Sequence, residues 1–184
     1  SFNEVFLTDV RVPDAHRIGD IGEGWKVALT VLGFERESSN GSSRVGGNWA
    51  QAKGLAQYLE LTKDPIMRDE LARLYTQYRI MILNGQRIAA QTKAGQPPGP
   101  EGSISKMIWV KSMNLMSDVV SKMLGARMTA DTGEWGTYEW NEHLLGAPGY
   151  RIAGGSDEIQ RNIVGERVLG LPGEPRVDKS IPYK

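Results

Sequence analysis

A chain of 184 residues with 40% hydrophobic and 24% charged residues has the size and balance of one soluble globular domain with its own core. Lysine plus arginine and aspartate plus glutamate number 22 each, which gives no electrostatic reason to expect nucleic acid or an acidic membrane as partner. The lack of cysteine excludes disulfides, thiol nucleophiles and thiolate metal sites and fits the cytoplasm, and the two histidines, His16 and His143, are too far apart in sequence to suggest a metal site or a Ser-His-Asp triad.

Residues 2–12 read as a strand, with Phe2, Val5, Phe6, Leu7, Val10 and Val12 supplying aromatic and β-branched types. A lone strand needs a sheet to pair with, so residues 1–22 are expected to be the end of a preceding β domain and a linker. Pro13, Asp14, Gly19 and Gly22 make a turn-rich passage. From Trp25 the period is helical. Trp25, Val27, Ala28, Val31 and Leu32 form an apolar stripe, and Val45, Trp49, Ala52, Leu55, Ala56 and Leu59 continue it in one long first helix. Between Glu37 and Gly47 the Ser and Gly residues imply close helix packing, or else a local bend.

Asp64-Pro65 predicts a helix start, an N-cap followed by proline at the first helical position. Ile66, Leu71, Leu74, Tyr75, Tyr78, Ile82 and Ile88 mark the stripe of this second helix, which the Pro- and Gly-rich segment 96–102 ends. Ser103 is the expected cap of a third helix with its stripe at Ile104, Met107, Ile108, Leu115, Val119 and Met123. Residues 125–149 are a looser connection with room for a short helix. A fourth helix is expected over about 156–169, capped by Ser156, with Asp157 and Glu158 in its first turn and Gly170 and Pro172 stopping it. No apolar run approaches a membrane span. The fold class is therefore all-α: an antiparallel up-and-down four-helix bundle over 23–170, with a tail over 171–184.

The segment Gly154-Gly155-Ser156-Asp157-Glu158-Ile159-Gln160-Arg161-Asn162-Ile163-Val164-Gly165-Glu166-Arg167-Val168-Leu169-Gly170 opens with a glycine turn at a helix N-terminus. Such a turn lets a ligand approach bare amides. The whole string resembles the C-terminal signature of acyl-CoA dehydrogenases. Two further segments are similar to the same family in order and spacing. One is the entry, Phe2 to Pro13 followed by Gly22-Glu23-Gly24-Trp25-Lys26-Val27-Ala28; the other is Gly33-Phe34-Glu35-Arg36. The resemblance covers essentially this whole chain but only the last part of a family enzyme, so a fragment is expected.

The resemblance implies an FAD-dependent oxidation of an acyl-CoA thioester to the 2,3-enoyl-CoA. A carboxylate takes the α-proton, and the flavin takes the β-hydrogen as hydride. Most members keep the base just before the terminal Gly-Thr or Gly-Ser, where this chain has Gly154. A second branch, the isovaleryl-CoA-type dehydrogenases, carries the base in the first bundle helix, and Glu35 aligns with it. Arg36 is its expected orienting neighbour. Glu37 lies about 200° further around the helix and cannot face the same pocket. Gly155, Ser156 and Glu158 occupy positions that touch FAD in the family, although Glu158 stands where many members have Gln and cannot donate as an amide does.

Other departures concern the neighbouring subunit. The family's Arg-x-x-Phe-Gly segment, which reaches a neighbour's FAD, is replaced by Tyr58 to Pro65, and the adenine-end loop has become Lys122 to Arg127. Lys122 and Arg127 are either solvated surface or charges for a pyrophosphate. The resemblance implies acyl-CoA as substrate, electron-transfer flavoprotein as electron acceptor, no metal, and a homo- or hetero-oligomer built through the bundle. The alternative is a non-catalytic or half-site partner subunit of a heteromeric enzyme. A relative with oxidase, nitroalkane-oxidising or monooxygenase chemistry is a third reading.

Overall fold

The computed structural model describes residues 3–38, 47–96, 99–129, 133–134 and 137–175, without the side chains of 35–38 and 137–139. These residues form helices α1 (Gly24–Ser38), α2 (Trp49–Tyr58), α3 (Pro65–Lys93), α4 (Gly102–Leu124), α5 (Thr137–Gly146) and α6 (Asp157–Ile163). A π-helical turn, Val164–Val168, extends α6, so helix continues over most of the span predicted for the fourth helix. No strand and no helix long and apolar enough to cross a membrane occurs among the described residues.

α4 is the hub, touching α1, α2, α3, α5 and α6. α3 and α4 run antiparallel: Glu70 near the start of α3 pairs with Lys122 near the end of α4, while Asn84 donates to Ser105 Oγ (2.7 Å) near the other end. The core lies at one end of this hairpin. Leu55 of α2, Leu74 of α3 and Val119 of α4 are fully buried, joined by Ala52, Ala56, Leu71, Val120 and Trp140. Burying each large aliphatic side chain there stabilises the fold by about 1.5–3 kcal/mol.

The start of α3 is as the sequence predicts. Asp64 Oδ1 accepts from the N–H of Ile66 (2.7 Å) and Met67 (3.0 Å), with Pro65 where no donor is needed. The start of α4 is not. The helix begins at Gly102, and Ser103 sits inside the first turn, buried, its Oγ without a partner among the described residues.

Other expectations are corrected. The single first helix is interrupted: after α1 (Gly24–Ser38), Gly47 and Asn48 are not helical, and α2 starts afresh with a capping box. Asn48 accepts from the N–H of Gln51 (3.1 Å), and the Gln51 side chain accepts from the N–H of Asn48 (2.9 Å). Residues 39–46 between them, including Val45 and most of the Ser- and Gly-rich stretch, lie outside the described residues. The apolar stripe of α1 is not core: Trp25 is 75% exposed, and Leu29, Val31 and Leu32 are also exposed. Residues 3–12 form no strand: among the described residues no second strand edge meets them, and Asp9, at φ +51°, interrupts the extended run.

Candidate functional site

The approach to α6 is a tightly wound turn. Ile152 and Ala153 both donate their N–H to Gly149 O (3.1 Å each), and the chain then passes through Gly154 (φ +67°) and Gly155 (φ +93°). Side chains rarely adopt these conformations. Ser156 returns to extended backbone and caps α6, its Oγ accepting from the N–H of Ile159 at 3.4 Å. That role matches the sequence expectation.

Gln160, only 2% exposed, reaches back beneath the turn and donates from Nε2 to Gly154 O at 2.8 Å. The dihedral favours glycine at 155, and a Cβ there would stand 2.6 Å from that Nε2, so the Gln160 side chain would have to shift. Gln160 Oε1 is buried and has no partner among the described residues.

Asp157 does more than offer a negative charge to a helix start. It is buried and accepts from Arg151 Nε (2.8 Å) through Oδ2 and from Lys106 Nζ (3.4 Å) of α4 through Oδ1. Lys106 also donates to Arg151 O at 3.4 Å. The Arg151 hydrogen bond, with help from Lys106 and against the cost of burial, holds the Asp157 carboxyl below its ordinary range. The same bond raises Arg151. Beside this cluster runs an open groove of about 660 Å³ between α3, α4 and α6, with Met107, Val110 and Leu115 as its apolar floor.

Glu158 points outward, its side chain 73% exposed and 3.6 Å from Arg161. Hydrogen bonds from its own backbone N–H and from the Ser156 hydroxyl lower its pKa. It therefore stays anionic, facing solvent beside the capping serine. Gly155, Ser156 and Glu158 thus share one turn. Glu35 and Arg36 fall near the end of α1, and their side chains lie outside what is described.

Lys122 and Arg127 are both already engaged. Lys122 closes on Glu70, and Arg127 donates to Glu134 at 3.1 Å. The Lys122 hydrogen bond, opposed by burial, lowers the Glu70 pKa. His143 is structural, buried against the edge of Trp140 with Nε2 3.1 Å from Met113 O. No cluster of metal-ligating side chains occurs among the described residues.

Sequence reading missed Gln160, Arg151 and Lys106. One signal was present: Gln160 lies three residues after Asp157, so both polar side chains share the face of α6 that turns inward. The arrangement can present backbone donors of a rigid glycine turn to a polar, planar ligand.

Residues 22–169 match the family model of the acyl-CoA dehydrogenase C-terminal domain. The acyl-CoA dehydrogenase IpdE1 of Mycobacterium tuberculosis (strain ATCC 25618 / H37Rv) is 36% identical over 95% of this chain and 45% of its own length. Solved structures share the fold, two of them as follows. One is the Tcur3481-Tcur3483 steroid ACAD, with a TM-score of 0.76 at 20% identity over 92% of this chain and 45% of that one. The other is the ChsE4-ChsE5 complex from Mycobacterium tuberculosis, with a TM-score of 0.71 at 21% identity over 92% of this chain and 46% of that one. The chain spans less than half the length of the curated relatives it matches.

Proposed function

The chain belongs to the acyl-CoA dehydrogenase family, whose C-terminal helical domain it carries, and from that premise we propose that the intact protein oxidises an acyl-CoA thioester to its 2,3-enoyl-CoA. The observation that carries this reading is the turn of Gly154, Gly155 and Ser156. Gly154 and Gly155 both hold positive φ there, where side chains are rarely accepted, so bare backbone leads into the capped start of α6. Those features suit FAD, which when bound supplies the acceptor for the β-hydride. Gly155 and Ser156 would hold its polar edge. The exposed carboxylate of Glu158 suits a neutral or donor group of the cofactor rather than a phosphate.

Gly154 has no side chain to accept a proton, so the α-proton goes elsewhere. Glu35 is the base in this reading, its carboxylate taking the α-proton, with Arg36 orienting it. A shielded setting would raise the Glu35 pKa toward the working range. One of the solved relatives is a steroid ACAD, which supports a bulky, steroid-derived acyl group as substrate class. Electron-transfer flavoprotein is the acceptor we propose for reoxidation, and the cytoplasm the compartment.

The test is a visible spectrum of the full-length protein, expressed with its genomic neighbours, before and after anaerobic addition of a panel of acyl-CoAs. A flavin band bleached by one substrate class supports the dehydrogenase, and Glu35→Gln should keep the band but stop the bleaching. Unchanged bleaching in that variant overturns Glu35 as base.

A second reading is a half-site partner subunit of a heteromeric enzyme. It is favoured by the segment Tyr58 to Pro65, which lacks the neighbour-reaching Arg-x-x-Phe-Gly, and by the solved ChsE4-ChsE5 complex, a relative built from two unlike proteins. Co-purification of an unlike subunit that carries the base supports it. An active, flavin-loaded homomer overturns it.

A further inference from the structure

We propose that Gln160 and Lys106 are positioning residues that hold the Gly154–Gly155–Ser156 turn in the shape that receives the flavin; this rests on the flavin reading above. Two interleaved clasps close the turn, each spanning six residues. Arg151 reaches Asp157 (2.8 Å), and Gln160 reaches Gly154 O (2.8 Å). Lys106 ties both ends of the first clasp to α4, through Arg151 O and Asp157 Oδ1 (3.4 Å each). The turn is thereby fixed to the central helix of the domain.

Without these ties two successive glycines are the worst-determined backbone available, because each loses more freedom on ordering than any other residue. The clasps also set direction. The amide of Gln160 must present Nε2, not Oε1, to a carbonyl oxygen, so its orientation follows from chemistry. That bond draws the Gly154 carbonyl inward. Among the described residues the backbone N–H groups of Gly154, Gly155 and Ser156 make no hydrogen bond. Gln160 Oε1 is buried as well, with no partner among the described residues, so this side chain lies beneath the turn and not in the ligand contact. Residues outside the ligand contact thus decide where its donors stand.

The experiment uses the full-length protein with any partner subunit, comparing Gln160→Met and Lys106→Met with Glu70→Gln. Methionine keeps an unbranched chain of similar length and removes the donor. Glu70→Gln weakens a partly buried ion pair of α3 and α4 and controls for general destabilisation. The readouts are amide hydrogen exchange over residues 152–158, the position of the flavin absorption band, and the FAD Kd. Both methionine variants should speed that exchange and raise the Kd by about 10-fold, the size of one lost net hydrogen bond. Glu70→Gln should change neither. A flavin-loaded wild type whose methionine variants keep band and Kd overturns the inference alone, whatever happens to exchange. A wild type with no flavin, alone or with its partner, overturns the flavin reading and the inference together.

Discussion

Glu70 and Lys122, 52 residues apart, close an ion pair that fixes how α3 lies against α4. Arg73 Nη1, 3.2 Å from the other Glu70 oxygen, leaves that carboxylate with a cation on each side. Glu70 is 9% exposed while the Lys122 side chain is 52% exposed, so losing the carboxylate charge removes the pair but leaves Lys122 open to solvent. Glu70→Gln should cost at most about 1.5–3 kcal/mol, the range for hydrogen bonds to charged groups, seen as a lower urea midpoint at unchanged slope. A double-mutant cycle with Lys122→Met should return a coupling of at least about 0.5 kcal/mol, and additive losses would show that the pair does not set the register.

Acid should loosen the domain through two carboxyls. Glu70 and Asp157 have folded pKa values below their ordinary 4.5 and 3.8, each held down first by a cation's hydrogen bond. Well above those values both states are ionised and the stabilisation is complete. As pH falls past them, the unfolded chain takes up protons that the folded chain refuses. Stability then declines until the folded carboxyls protonate as well. Thermal melting should therefore be flat from pH 7 to about 5 with respect to these groups and fall below that. Asp157→Asn should shallow the acid slope, and an unchanged slope would remove Asp157 from this account.

The core near the base of the hairpin sets most of the stability. Leu74 is fully buried between α2 and α4 partners, whereas Phe34 of α1 is 62% exposed. Leu74→Ala should cost about 2–5 kcal/mol from lost burial and the cavity left behind. Phe34→Ala in this chain should stay within about 0.5 kcal/mol of wild type. A large loss at Phe34 in chemical denaturation would mean that the α1 stripe packs in solution after all.

These cases separate what the sequence made legible from what it hid. Asp64-Pro65 announced α3 because capping is local, a side chain and the two or three amides after it. Leu55, Leu71, Leu74 and Val119 were legible as core because their spacing puts them on single helix faces. Trp25 and Val31 have equally good spacing yet lie exposed, since periodicity tells which face is apolar and not what covers it. The break between α1 and α2 was obscured because one stripe runs through both, which masks the local sign of a fresh start in the capping box of Asn48 and Gln51. In the candidate site, Ser156 was legible as a local cap. Gln160 and Lys106 were not, because their partners are reached across a turn and across helices, where spacing carries no information.

Gly155→Ala tests the turn most directly. The residue sits at φ +93°, and its new Cβ would stand 2.6 Å from Gln160 Nε2. The backbone must leave that dihedral, at a cost of about 1–3 kcal/mol, or the Gln160 side chain must yield its bond to Gly154 O. Either route disturbs the same clasp, so the variant should lose stability and flavin affinity together. Gly154→Ala provides the contrast. It meets nothing within 4 Å, although its φ of +67° still carries strain. Its loss of stability should be the smaller of the two, and its flavin affinity should be closer to wild type. If calorimetry and flavin titration rank the two variants the other way, the close contact with Gln160 is not what makes position 155 a glycine.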